Sequence, residues 1–209
     1  MFTAVDELLR PLYPHLTAAD QCYFLREYTS GRGFAHSETN RLILNLKKSP
    51  DRRDRPEWHY KEFAIQQVAR EFRESLNLQR LRAVTFVPMP PSKRKNDPLY
   101  DDRMLEVLHT MDVDGQLDIR ELLLLSASTT AAHATVTRPT IEELVANLTI
   151  AESLAHRPPT SIALVDDVLT TGAHFVAAKR VLTERFPGVS IRGLFLARRV
   201  FADTSAPLS

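Results

Sequence analysis

One cysteine, one tryptophan and six glycines in 209 residues exclude several kinds of protein. A single thiol, Cys22, allows neither a disulfide framework nor a zinc ribbon, and it suits a reducing compartment. No run of about 18 or more apolar residues is present to span a membrane. The formal charge of +1 argues against broad, sequence-independent nucleic-acid binding, while leaving a local basic patch open. There is no G-x-x-x-x-G-K-[ST] loop, no G-x-S-x-G elbow and no H-E-x-x-H pair. "GRGFAH" has the first two glycines of a dinucleotide fingerprint without the third, and it follows a segment read as helix rather than strand. The first residues, "MFTAVDELLRPLYPHL", mix acids with apolar residues and lack a basic start and a small-residue cleavage site. The expectation is a soluble, cytoplasmic protein with no membrane partner.

What is present is ordinary globular material, 44% hydrophobic and 25% charged, long enough for one substantial core or a core with a small appendage. The first part reads as helical. Thr17 with Asp20 resembles a capping box opening "AADQCYFLREY", Ser37 caps "ETNRLILNLKK", and a longer helix runs through "YKEFAIQQVAREFRESL" with Phe63, Val68, Phe72 and Leu76 near one face. The rhythm then changes. "AVTFVPMP" reads as a strand halted by prolines and "DPLYDDRMLEVLHTM" as a helix. "IRELLLLS" reads as a buried strand, "TIEELVANLTIAESL" as a helix and "SIALV" as a strand; "HFVAAKRVLTERF" is a helix and "VSIRGLFLARRV" a last strand. Strands alternating with helices predict a mostly parallel sheet covered on both faces. The predicted division is an N-terminal helical region over residues 1–80 and an α/β core over 81–209.

The most informative stretch is "SIALVDDVLTTGAHFVAAKRVL". In an open parallel sheet, ligands bind beyond the carboxyl ends of strands, and Asp166 and Asp167 stand at that address. Successive strand residues point to opposite faces, so at least one of the two carboxylates should face the cleft. The loop that follows offers backbone N–H groups and the Thr170 and Thr171 hydroxyls to an anion at the start of a helix, with Gly172 allowing a backbone path closed to other residues. Carboxylates for a diol beside an N–H cradle for a phosphate describe a sugar-phosphate site.

"IALVDDVLTTGA" resembles the phosphoribosyl-diphosphate (PRPP) motif of type I phosphoribosyltransferases: apolar residues, two acids, two variable positions, then Thr-Thr-Gly. The resemblance implies that fold, with Asp166 and Asp167 as catalytic acids addressing the ribose hydroxyls and Val168, Leu169, Thr170, Thr171, Gly172 and Ala173 holding the 5-phosphate. "FVPMPPSKRK" falls where the family has its first core strand and pyrophosphate loop, which implies pyrophosphate contacts from Pro90, Ser92, Lys93 and Arg94. "SASTTAAHATVTR" falls where the family has its mobile hood, with His133 and Arg138 as the residues that reach inward or anchor the loop. "LILNLKK" and "VPMP" are similar to features of proteins like competence protein F. The implied cofactor is Mg²⁺, held largely by the substrate with Asp166 and Asp167 in reach; family analogy points to a homodimer and to residues 1–80 as the hood or acceptor region.

The motif departs from its relatives in two ways. Thr170 occupies the place where purine-salvage relatives carry a carboxylate, and Thr is a poor general base. Pro88, Pro90 and Pro91 remove N–H donors from the pyrophosphate loop, which shifts the work to Ser92 and to Lys93, Arg94 or Lys95. Tyr100 to Arg103, "YDDR", would supply carboxylates to metal or substrate or, with greater weight, form a charged helix start. Three functions stay open: phosphoribosyl transfer to a nitrogen nucleophile with release of pyrophosphate; PRPP or nucleotide sensing without turnover; and an accessory role with nucleic acid through "SKRK" and "KKSPDRRDR".

Overall fold

The computed structural model describes residues 1–128 and 139–202. Its centre is a six-stranded sheet in the order β1 (Thr3–Ala4), β2 (Gln21–Thr29), β8 (Ser190–Val200), β7 (Ser161–Leu169), β3 (Thr85–Pro88), β4 (Asp118–Ile119). All neighbours are parallel except β1, which runs antiparallel to β2. A separate antiparallel pair joins β5 (Leu123–Leu125) to β6 (Leu148–Ile150). The molecule is thus α/β, with a mostly parallel sheet flanked by helices. Among the described residues, no helix is long and apolar enough to cross a membrane.

Parallel strands need covered faces, and the strand sequences obey this. On β7, Ile162 and Leu164 enter one core with Phe175 and Leu182 of α6 (Ala173–Arg185), while Ala163 and Val165 enter the other. That second core contains Leu42 and Leu46 of α1 (Glu38–Leu46), Val68 and Phe72 of α2 (His59–Ser75), and Val107 and Leu108 of α3 (Arg103–Met111). The crossover from β3 to β4 therefore passes over one face and that from β7 to β8 over the opposite face. The chain's direction of travel reverses between β3 and β7, which makes their carboxyl ends a topological switch point.

Several helix expectations are corrected. "AADQCYFLREY" is not a helix: Gln21–Thr29 forms β2, paired along its length with β8. Its residues alternate, Cys22 and Phe24 facing one core and Tyr23 and Leu25 the other, and this aromatic run satisfies a two-sided strand better than an amphipathic helix. Thr17 and Asp20 do bond as a pair, the Thr17 N–H and hydroxyl each donating to Asp20 Oδ2 at 2.8 Å, but they close a turn into the strand. Residues on both sides of position 80 therefore contribute to one sheet. "TIEELVANLTIAESL" breaks into α4 (Ile141–Asn147), β6 and α5 (Glu152–Ala155), because β6 pairs with β5 and Asn147 bonds both the N–H and the carbonyl of Ala127. In "IRELLLLS" the Leu123–Leu125 strand lies outside the main sheet, and its pairing with β6 explains the apolar content. The helix "DPLYDDRMLEVLHTM" begins only at Arg103. On α2 the buried stripe is Lys61, Ala64, Ile65, Val68, Ala69 and Phe72, and Phe63 is 61% exposed.

Because β2 is part of the central sheet, truncating Phe24 should destabilise the protein by roughly 3–5 kcal/mol, the usual cost of deleting a buried ring. Urea unfolding of Phe24→Ala against wild type measures this; a change below about 1 kcal/mol would mean that β2 is peripheral.

Candidate functional site: the crevice at the ends of β3 and β7

The crevice at the switch point is lined by Pro88 to Pro91 after β3, Tyr100 to Leu105 leading into α3, Glu121 and Leu123, and Asp166 of β7. The two acids of the motif part here. Asp166 is half-buried and lines the crevice, its Oδ1 accepting the Asp167 N–H at 2.7 Å. Asp167 is 4% exposed and its carboxylate is fully engaged. Lys47 Nζ lies 2.8 Å from Oδ1, while Arg103 Nε and Nη2 donate to Oδ2 at 2.9 and 2.6 Å.

The network continues away from the crevice. Arg103 Nη1 donates to Asp101 Oδ2 at 2.7 Å, and Asp101 Oδ1 accepts from Lys61 Nζ at 2.8 Å. Lys61, 2% exposed, also donates to the carbonyls of Leu46 (2.8 Å) and Lys48 (2.9 Å) at the end of α1. A cation is favourable there, where helix carbonyls lack partners. Burial lowers the Lys61 ammonium, and Asp101 offsets this in part.

Electrostatics separates the neighbouring acids. Burial first, and then the charge of Asp167, raise the Asp166 carboxyl to about 7. At Asp167 burial also pulls upward, but Lys47 and Arg103 outweigh it and hold the group well below the usual carboxylate range. Asp166 is thus a carboxyl poised to exchange a proton near neutrality, and Asp167 a permanent anion. Across the crevice, Tyr100 donates its hydroxyl to Glu121 Oε1 at 2.8 Å, and burial, then Glu121, raise its phenol.

The expected phosphate loop is shorter than the motif. Val168 and Leu169 are buried strand residues, and α6 begins at Ala173, so the turn itself is Thr170, Thr171 and Gly172. Gly172 sits at φ +85° and is the N-cap of a 13-residue helix without a side-chain cap. A Cβ there would lie 2.7 Å from Leu16, whose segment backs the turn through the His15 N–H bond to the Thr171 carbonyl at 3.3 Å. The Thr171 hydroxyl accepts from the Ala173 N–H at 3.4 Å.

Of the expected pyrophosphate residues, Pro90 lines the crevice, Lys93 is half-buried, and Ser92 and Arg94 are exposed on the loop beyond. That loop is tied down: the Arg94 N–H donates to Ser128 Oγ at 3.2 Å, Ser128 Oγ donates to Asp97 Oδ2 at 2.6 Å, and Lys95 pairs with Glu121 at 2.6 Å. His133 and Arg138 lie outside the described residues. Tyr100 to Arg103 belong to the site as a unit, beyond a charged helix start. Lys61 carried no signal in sequence beyond being a lysine on the apolar stripe of α2.

No protein-family model matches the chain, and a search of curated proteins gives no match.

Asp167→Asn should cost about 3–5 kcal/mol, since it leaves the largely buried Arg103 guanidinium without one of its two anions. Asp166→Asn should behave oppositely. The raised Asp166 carboxyl contributes stability below its unfolded value near 3.8, lost as pH rises through its folded value near 7. Unfolding free energies measured between pH 4 and 8 should therefore show the variant gaining on wild type as pH rises; a pH-independent difference would refute the assignment. Gly172→Ala should lose about 1–3 kcal/mol in the same assay, from positive φ and the Leu16 contact.

Proposed function

We propose that the chain binds PRPP in the β3–β7 crevice and transfers its phosphoribosyl group to a nitrogen nucleophile, releasing pyrophosphate. One observation carries the reading: an acid pair at the carboxyl end of a parallel strand, followed by a Thr-Thr-Gly turn into a helix N-terminus, at the topological switch point of the sheet. The turn Thr170 to Gly172, with the first N–H groups of α6, receives the 5-phosphate. Asp166 faces the ribose diol. Asp167 acts through Arg103 and Lys47, fixing the strand end so that Asp166 is presented in one orientation; it is a positioning residue rather than a diol ligand.

The crevice suits a hard cation in its chemistry, with Asp166, Asp102 and Glu121 among its lining groups. Among the described residues, no group of three or more His, Cys, Asp or Glu is arranged to hold a metal unaided, which fits Mg²⁺ arriving with the diphosphate. Bound there, Mg²⁺ would neutralise charge on the departing pyrophosphate. The chain's own contribution is electrostatic. As the bond from the anomeric carbon to pyrophosphate oxygen breaks, positive charge grows on the ribose ring, and an ionised Asp166 stabilises it in a site of reduced water access. The nitrogen nucleophile then bonds to that carbon and gives its proton to the departing pyrophosphate or to solvent. With Thr170 in the turn, the turn offers no base for this proton.

A second reading is favoured by the engagement of Asp167: with one acid held by Lys47 and Arg103, the site retains a ligand-facing carboxylate sufficient for sensing PRPP without turnover.

Titration calorimetry of PRPP with Mg²⁺ into wild type and Asp166→Asn tests the binding. Wild type should bind, and the variant should lose about tenfold or more, the worth of one charge-assisted hydrogen bond. Pyrophosphate release on addition of nitrogen heterocycles then separates transfer from sensing. No PRPP binding by the wild type removes both readings.

A further inference from the structure

The turn Thr170 to Gly172 is not held by β7 and α6 alone. The connection from β1 to β2, residues 5–20, backs it as a strap built of closed turns. Asp6 accepts the N–H groups of Leu8 and Leu9, the Arg10 carbonyl accepts the Tyr13 N–H at 2.9 Å, and the Tyr13 carbonyl accepts the Leu16 N–H at 2.9 Å. Pro11 and Pro14 stiffen the same stretch by fixing φ. Tyr13 and Leu16, 1% and 7% exposed, enter the core that holds Leu169 of β7 and Phe175 of α6. The strap is fastened to α6 a second time where Lys179 Nζ donates to Asp20 Oδ1 at 2.6 Å and to the Ala19 carbonyl at 3.2 Å.

Two contacts reach the turn itself. The Thr171 carbonyl accepts the His15 N–H at 3.3 Å. In a trans peptide the carbonyl and the following N–H point in opposite directions, so this bond aims the Gly172 N–H away from the strap. Among the described residues that N–H has no acceptor, and the first turn of α6 adds further open donors beside it. The second contact is Leu16, which occupies the space a side chain at position 172 would need: the Cβ position lies 2.7 Å from its Cγ and its Cδ2. Leucine packed there stops the left-handed Gly172 from settling back toward the strap, which keeps the donors convergent. We propose that Leu16, with the His15 backbone, is the positioning element of the anion site, so that the strap sets the aim of the Gly172 N–H at the ligand's phosphate. Both residues act through Gly172, and neither is a catalytic residue. The identity of the ligand as a ribose 5-phosphate group rests on the PRPP reading; the control of the turn by the strap rests on packing alone.

Titration calorimetry of the full chain with ribose 5-phosphate, PRPP with Mg²⁺ and pyrophosphate with Mg²⁺ separates positioning from general damage. Leu16→Ala should weaken ribose 5-phosphate and PRPP about tenfold, the worth of one charge-assisted hydrogen bond, and leave pyrophosphate within about twofold. Leu16→Met, close in volume, should bind as wild type does. Gly172→Ala combined with Leu16→Ala should lose less than the product of the two single losses, because the second change removes the clash that the first creates. Thermal unfolding shows whether each variant is folded, and Leu16→Val takes the place of Leu16→Ala if the latter is not. Equal weakening of all three probes, unaltered ribose 5-phosphate binding in folded Leu16→Ala, or fully multiplicative losses would each overturn the proposal. If wild type binds neither sugar phosphate, the PRPP reading falls instead, and ¹⁵N relaxation decides on the strap. The Gly172 order parameter should then drop in Leu16→Ala from about 0.85 toward 0.6 while β7 is unchanged, and an unaltered value at Gly172 would overturn the strap's role.

Discussion

A carboxylate taken out of water at the end of a strand has to be matched by cations held in place, and that requirement at Asp167 organises one face of this molecule. Lys47 and Arg103 supply the match, from the residue that caps α1 and the first residue of α3. Arg103 spends its remaining donor on Asp101, and Asp101 spends its second oxygen on Lys61 from α2. Three helices distant in sequence are thereby referred to one atom group on β7. The planar fork of Arg103 suits this better than a lysine would, since it grips two carboxylates in fixed relative orientation. Burying such a chain gains little net stability compared with apolar packing, but breaking it is costly, so its effect is to fix geometry.

The same matching accounts for the inequality of the two acids. With two cations bound to Asp167, burial first and then its neighbour's negative charge govern Asp166, and the more distant pull of Lys47 and Arg103 does not offset them. Two adjacent, chemically identical groups thereby acquire different protonation behaviour through environment alone. Opposite side-chain directions on a strand make this arrangement available: one acid can be surrendered to the helical layer while its neighbour stays at the crevice.

Much of this was legible in the sequence, and what was not has physical reasons. The β7–turn–α6 unit could be read because apolar run, acids, glycine and helix are contiguous, so local pattern and tertiary role coincide. β2 was misread because Thr17 and Asp20 form the same i, i+3 hydrogen bonds in a turn as in a helix cap, and only pairing with β8, distant in sequence, decides between them. β6 was absorbed into a helix for the same reason, its partner β5 lying more than twenty residues away. Phe63 was assigned inward on hydrophobicity, whereas the neighbouring stripe through Lys61, Ala64, Ile65 and Val68 buries a charge and leaves the ring outside. That inversion could not be inferred without Asp101 and the carbonyls of Leu46 and Lys48, which make a buried lysine tolerable.

The segment between β2 and β3 therefore does two jobs with alternating residues. Lys47 and Lys61 are spent on the charge chain, while the half-buried Lys48 and the exposed Tyr60, each one residue away, meet one another, the Lys48 ammonium 5.1 Å from the Tyr60 ring centre. The Lys48 carbonyl accepts from the Lys61 ammonium at 2.9 Å, so the backbone that carries Lys48 is tied to the ion chain. The end of α1 is thus held to the ion chain at two points, by the Lys47 ammonium on Asp167 and by the Lys48 carbonyl on Lys61.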